Sequence, residues 1–262
     1  MAVWASGAAY EAYIGRWSRP VAREFLSWLA VPAQSVWLDL GCGTGVLSQT
    51  ILAFAAPRQV QGVDRSEAFI GYARQQVVDS RVSFRVGDAQ SLTDADATYQ
   101  AAISGLVLNF VPAPDRMIAE MMRVTQTGGT VAVYVWDYAD QMQMLRYFWD
   151  AAVMLDPAAR DLDEGRRRSI CNPEALSALF REAGLSHIET RAIDVPTIFT
   201  RFDDYWLPFL GGNGPAPTYI TSLSEEHRTT LRERLRSQLP IETDGSIHLT
   251  ARAWGIRGIV SG

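Results

Sequence analysis

Val36-Trp-Leu-Asp-Leu-Gly-Cys-Gly-Thr-Gly45 is the stretch that decides the fold. Its first five residues are apolar apart from Asp39, the near-continuous pattern of a strand buried on both faces. Three glycines at alternate positions then permit backbone angles that side chains resist, so the chain turns sharply. Val46 to Ala55 follows as an apolar helix. A strand that feeds a glycine turn and then a helix is the opening unit of an α/β sheet, with a ligand-binding helix N-terminus at the turn. The glycines Gly41, Gly43 and Gly45 are one residue tighter than the Gly-x-Gly-x-x-Gly of dinucleotide enzymes. Asp39 directly upstream would repel a pyrophosphate and suits a ligand that carries an ammonium group.

The same alternation continues on both sides. Gln59-Val-Gln-Gly-Val-Asp64 predicts a second strand, Ser66 caps a helix carrying Phe69, Tyr72, Ala73 and Val77, and Arg81 to Gly87 predicts a third strand before Asp88. Tyr99 to Leu108 reads as a fourth strand and Asp115 to Val124 as a helix. Gly128-Gly129 reads as a turn into the β-prone Thr130 to Trp136. Five such units predict a parallel sheet with helices on both faces. Upstream, Val21, Phe25, Trp28 and Leu29 recur at helical spacing after Pro20. Downstream the pattern loosens into a Met- and aromatic-rich helix, Met142 to Met154, and an arginine turn at Arg166-Arg-Arg168. Regular signals return with a helix opened by Asn172-Pro173 and stopped by Gly184, a sixth strand from His187 to Val195 and a last one from Ile247 to Val260. Between these strands, Pro196 to Pro240 is too long for an ordinary connection and predicts a functional cap. The expected organisation is one domain over residues 1–262. It has a helical lid in 1–34, a ligand-binding core in 35–136, cap insertions in 137–170 and 196–246, and closing elements in 171–195 and 247–262.

Composition excludes several chemistries. All 24 basic residues are arginine, so neither a Schiff base nor a Gly-Lys-Ser/Thr phosphate loop is available. Three histidines and two cysteines without ligand spacing predict no metal site and no disulfide framework. A net charge of −5 offers no basic footprint for nucleic acid. No apolar run reaches the ~18 residues that span a bilayer, and Met1 to Tyr10 lacks the pattern of a signal peptide. A cytoplasmic protein without nucleic-acid or membrane partners is expected, its oligomeric state left open.

Residues 36–45 resemble the first motif of class I S-adenosylmethionine-dependent methyltransferases. Gly62-Val-Asp-Arg-Ser66 and Gly87-Asp88-Ala89 resemble the second and third motifs. The likeness covers about residues 35–136, and more weakly the helix at Pro173 and the two closing strands. It is greatest to the small-molecule enzymes, the methyltransferase type 11 or ubiquinone-biosynthesis-like branch. The resemblance implies a Rossmann-like, mostly parallel seven-stranded sheet with its last strand antiparallel, helices on both faces and a helical cap from the insertions. It implies S-adenosylmethionine as cofactor, held by Asp39, Gly41, Cys42, Gly43, Gly45, Asp64, Arg65, Asp88, Ala89 and Leu106. In such proteins the acid at Asp64 binds both ribose hydroxyls, which suits a carboxylate's acceptor pairs. The acid at Asp88 lies beside the adenine amino group, and the backbone of Ala89 meets the ring.

After strand four, enzymes acting on amines of nucleic-acid bases or protein amides carry Asp/Asn-Pro-Pro-Tyr/Phe, where this chain has Asn109-Phe-Val-Pro112. Neither Cys42 nor Cys171 is placed for cytosine-carbon methylation. The expected reaction is therefore in-line methyl transfer to a small organic acceptor, partly apolar or aromatic, with catalysis resting chiefly on positioning. No catalytic residue is identified; Tyr13 and His248 are the candidates. Tyr13 and Arg16, within Tyr10 to Trp17, also suit a lid or a contact to the donor's carboxylate, which an arginine fork matches. Trp136, Tyr138, Met142, Met144, Tyr147, Phe148, Trp149, Tyr205, Trp206 and Phe209 offer either an apolar acceptor pocket or ordinary packing. Two alternatives stay open: a donor-binding enzyme for cyclisation, elimination or decarboxylation, and a non-catalytic binding protein.

Overall fold

A computed structural model describes residues 13–167, 169–211 and 214–262. In chain order they form α1 (Ser18–Leu29), β1 (Val36–Leu40), α2 (Val46–Phe54), β2 (Gln59–Asp64), α3 (Glu67–Gln76), β3 (Val82–Val86), β4 (Tyr99–Gly105), α4 (Pro114–Val124) and β5 (Thr125–Trp136). There follow α5 (Gln143–Leu155), α6 (Glu164–Arg167), α7 (Pro173–Glu182), β6 (Ser186–Phe199), α8 (Phe202–Trp206), α9 (Pro215–Ser222), α10 (Glu225–Gln238) and β7 (Ile247–Ile259). The strands make one sheet in the order β3-β2-β1-β4-β5-β7-β6. By contacts the chain divides into a sheet unit (Ser18–Val135, Ile170–Ile193, Ala253–Gly262) and a helical unit (Met1–Trp17, Trp136–Ser169, Asp194–Arg252).

In the sheet unit β1 is buried along its whole length, as its apolar run requires. It pairs in parallel with β2 and β4, with Asp39 opposite Gly62 on one side and Ile103 on the other. The connecting helices begin where the sequence supplies caps: Ser66 Oγ accepts from Phe69 N at the start of α3, and Asn172 Oδ1 accepts from Ala175 N at the start of α7. α1 packs on α2, and Phe25 of α1 lies against Tyr134 of β5 with ring centroids 4.7 Å apart. By contacts this helix, within the stretch 1–34 expected as a lid, groups with the sheet unit, while residues 13–17 before it group with the helical unit.

The glycine pair at 128–129 does not form the expected turn into β5. It lies inside a longer strand, where β4 pairs Tyr99 with Thr125 and then Ala101 with Thr130, an irregularity that Gly128 absorbs at φ +79°. The reason lies on the opposite edge of β5. Gly128 N donates to Val260 O at 2.9 Å and Val260 N to Gly129 O at 3.0 Å, a reciprocal exchange that docks the end of β7 antiparallel to β5. β6 flanks β7, with Arg257 Nη2 paired to Glu189 at 2.9 Å. β4 also stops short of its expected end: Gly105 closes the strand and Leu106 takes φ +62°, which starts a short helical turn at Leu108–Phe110.

The helical unit has its own core. Phe148 stacks on Phe209 with centroids 4.6 Å apart, Tyr205 and Tyr13 each lie 5.4 Å from Phe209, and Trp149 packs beside Phe148. Within it, Asp137 N donates to Arg252 O at 2.9 Å, and Tyr205 Oη donates to Met144 O at 2.8 Å. Among the described residues no helix is long and apolar enough to cross a membrane.

Candidate active site

In the sheet unit, loops leave the carboxyl ends of β1, β2, β3 and β4 side by side. The strand order reverses between β1 and β4, the switch point at which open α/β sheets bind ligands. Gly41 and Val107 meet there. A Cβ on Gly41 would stand 2.6 Å from both γ-carbons of Val107, and Gly41 has φ +76°, so the position admits only glycine. Gly43 differs. It also has a positive φ, yet a Cβ built on it meets nothing within 4 Å, so the loop is open above this residue. Gly45, at φ +87°, is the N-cap of α2.

The loop is tied to β2 by the Asp64 carboxylate and by the Val63 carbonyl. Asp64 Oδ2 accepts from Gly43 N at 3.0 Å and Asp64 Oδ1 from Ser66 N at 2.8 Å, while Gly41 N and Cys42 N both donate to Val63 O. Asp64 is half-buried and each of its oxygens retains a further lone pair. Asp39 is fully buried. Its Oδ2 accepts from Ser48 Oγ at 2.6 Å, whereas Oδ1 has no partner. Burial pushes the Asp39 carboxyl up to about 7, against the opposing pull of Ser48 and with added repulsion from Asp64.

Asp88 is exposed. It accepts from Gln90 N at 2.9 Å and from Gln90 Nε2, which hold its carboxyl below the usual range. Arg65 is exposed and adds to that lowering; Ala89 is half-buried. The segment beyond Asp88 is pinned by Arg123 of α4, which donates to Leu92 O, Asp94 O and Asp96 Oδ1 and pairs with Glu120, while Glu120 Oε2 accepts from Leu92 N at 2.6 Å. Leu106, half-buried at φ +62°, is a non-glycine residue in a strained conformation at the end of β4. The loop cysteine is turned to packing: Cys42 is buried with Ile70, Ala73, Val77 and Phe84, and burial together with Asp39 and Asp64 raises its thiol well above the ordinary range. Only the backbone of Cys42 is left to face a ligand.

The other predicted residues belong to the helical unit. Tyr13 is buried against Phe209, and burial and Glu164 hold its hydroxyl far above the ordinary tyrosine range. Arg16 Nη1 donates to Asp204 Oδ1 at 2.9 Å, and its guanidinium lies 4.5 Å from the Trp17 ring and 4.8 Å from that of Phe199. Nε and Nη2 of Arg16 are buried without an acceptor. His248 is exposed and lies 3.1 Å from Ser246 Oγ. The aromatic and Met set, apart from the half-buried Tyr147, is buried in the unit's packed core, where burial pushes Glu164 up to about 7 although it accepts from Trp149 Nε1. Tyr10 of the lid stretch, Arg168 of the arginine turn, and Gly212 and Asn213 of the cap insertion lie outside the described residues. Sequence reasoning missed Ser48, Val107 and Arg123. Only Ser48 left a signal, a hydroxyl in the first turn of an otherwise apolar helix.

A family model described as a methyltransferase domain matches residues 38–133, from the middle of β1 into β5. The ubiquinone biosynthesis O-methyltransferase of Burkholderia pseudomallei is 26% identical over 186 residues, 68% of this chain and 77% of that protein. The chain carries the domain of an S-adenosylmethionine-dependent methyltransferase. A second relative of this methyltransferase, the arsenite methyltransferase of Halobacterium salinarum, is 31% identical over 172 residues, 64% of this chain and 41% of that one. Phosphoethanolamine N-methyltransferase 2 of Haemonchus contortus, solved with S-adenosylhomocysteine, shares the fold at TM-score 0.61 and 16% identity, over 97% of this chain and 57% of its own. The residues present fit S-adenosylmethionine. An orphaned carboxylate oxygen on Asp39, an open glycine at 43 and a half-buried Asp64 with spare acceptor pairs provide for an ammonium, a close backbone approach and a diol.

Proposed function

We propose that the sheet unit holds the methyl donor through the residues expected from the sequence, and that the acceptor is a small, partly apolar or aromatic organic molecule. The observation that carries this reading is Asp64 joining the glycine loop to β2 through Gly43 N and Ser66 N, which fixes the orientation of its carboxylate. In this assignment Asp64 accepts from the ribose hydroxyls, Asp39 faces the ammonium, and Asp88 takes the adenine amino group. The backbones of Gly41, Cys42, Gly43 and Gly45 let the donor approach closely. Ala89 and Leu106 flank the ring and the sulfur side, and Arg65 supports Asp88 electrostatically.

When bound, the donor supplies an electrophilic methyl carbon that a nucleophile displaces in line. The protein's part is to orient and to exclude water, which accounts for much of the rate of such a step. We assign no general base. Tyr13 and His248 stay the candidates, and their burial and exposure set them apart: Tyr13 is buried in the helical unit, while His248 is exposed. The two unpaired donors of Arg16 suit a carboxylate. The ring-rich helical unit and relatives named for an O-methylation and for arsenite support a small acceptor.

The test is calorimetric titration with S-adenosylhomocysteine, with Asp64→Ala as the variant. Binding by the parent protein and a loss of about tenfold or more in the variant are expected; equal affinity in the two would remove the ribose assignment.

A further inference from the structure

Ser48 sits in the first turn of α2, fully buried, with its hydroxyl 2.6 Å from Asp39 Oδ2. Asp39 is the one acid of the loop region with no exposure to water, and its two oxygens are treated unequally. Oδ2 has Ser48; Oδ1 has nothing. A buried carboxylate with one unsatisfied oxygen is a costly arrangement in a folded protein unless a ligand completes it. The groups that act on Asp39 are Ser48 from α2, whose hydroxyl and backbone N–H favour the anion, and Asp64 from β2, which opposes it. Cys42 in the loop between them feels the charge of Asp39 in turn.

We propose that Ser48 is a positioning residue for the donor's ammonium group. Its hydroxyl favours the ionised form of Asp39 and engages Oδ2, which leaves Oδ1 as the acceptor for the cation. The inference rests on the donor-site reading above and adds a residue that acts on the donor only through Asp39. Deprotonation of Asp39 and donor binding are then coupled. An ammonium binds the anion better than the neutral acid, and Ser48 sets the pH at which the anion forms.

The experiment is calorimetric titration from about pH 6 to about pH 8.5, a range that brackets the shifted carboxyl of Asp39. The probes are S-adenosylhomocysteine, and 5′-methylthioadenosine, which keeps the adenosine and the thioether but has no ammonium. With the parent protein, affinity for S-adenosylhomocysteine should rise with pH and level off above about 7. In Ser48→Ala that midpoint should move up by about one pH unit, and affinity at neutral pH should fall about three- to tenfold. Ser48→Thr should restore the parent profile, while Ser48→Val, of the same shape without the hydroxyl, should not. Methylthioadenosine should bind every variant alike at every pH, which also reports that the variants are folded.

A uniform loss of affinity with an unmoved midpoint would overturn the proposal and make Ser48 a packing residue. So would an equal shift with methylthioadenosine. If Ser48→Ala binds neither probe, the Thr and Val pair decides in the same way. Failure of the parent protein to bind S-adenosylhomocysteine at any pH would instead sink the donor-site reading itself.

Discussion

The backbone N–H of Gly43 donates to Asp64 Oδ2 at 3.0 Å, so the glycine loop after β1 is held by the acid that ends β2. Two motifs 21 residues apart act as one rigid element. Removing the carboxylate should therefore disturb the loop as well as any ligand contact. In Asp64→Ala the amides of Gly43 and Ser66 should exchange with solvent faster than in the parent, as read by hydrogen exchange. Asp64→Asn, which keeps one carbonyl acceptor, should fall between them.

Gly41→Ala should destabilise the fold by about 2–4 kcal/mol, because it combines an unfavourable φ with a steric clash against Val107. Adding Val107→Ala should return the steric part only. Urea unfolding of the four proteins in a double-mutant cycle should give a favourable coupling of about 1 kcal/mol, whereas strict additivity would show that the clash is relieved elsewhere.

Arg123→Met should loosen residues 88–98, whose backbone it holds at Leu92 O and Asp94 O. Limited proteolysis should cut within this segment in the variant and spare it in the parent. A stability loss of about 1–3 kcal/mol is expected from the carbonyls and the Glu120 carboxylate left unpaired.

Asp39 and Glu164 are both pushed up to about 7. Between their ordinary values near 4 and that raised value, the folded protein holds protons that the unfolded chain has released. Stability of the ligand-free protein should thus fall as pH rises from about 4 to about 7, by about 4 kcal/mol per group at most. The lowered carboxyls of Asp88, Glu120 and Asp194 lose their contribution only as pH drops below about 4, so they do not mask this slope. Thermal melts at both ends of the window should show it, and Glu164→Gln should flatten it; a melting temperature that climbs across the window would refute the assignment.

Much of the fold was legible because each parallel strand announces itself as an apolar run ended by a glycine or an acid, as in Val36 to Leu40 and Gln59 to Asp64. What hid was whatever depended on a partner distant in sequence. Gly128-Gly129 looks like a turn until β7 supplies Val260 on its far side. Cys42 reads as part of a ligand loop, and only the neighbourhood of Val77 and Phe84 reveals that its side chain belongs to the core. Leu106 was marked by its place after β4, yet its left-handed backbone has no sequence signal, since leucine is a poor choice for it. Phe209 falls in the expected cap insertion, whereas Phe25 falls in the expected lid stretch and only its contact with Tyr134 of β5 reveals that it belongs to the sheet unit.

The unpartnered oxygen Oδ1 of Asp39 sets a trap for anyone engineering this protein. A thermostability screen run without ligand rewards any exchange that removes the uncompensated charge, and asparagine or leucine at position 39 would rise to the top. Libraries meant to keep the protein working should be ranked with the donor or its demethylated product present, so that selection counts the residue as an asset rather than a defect.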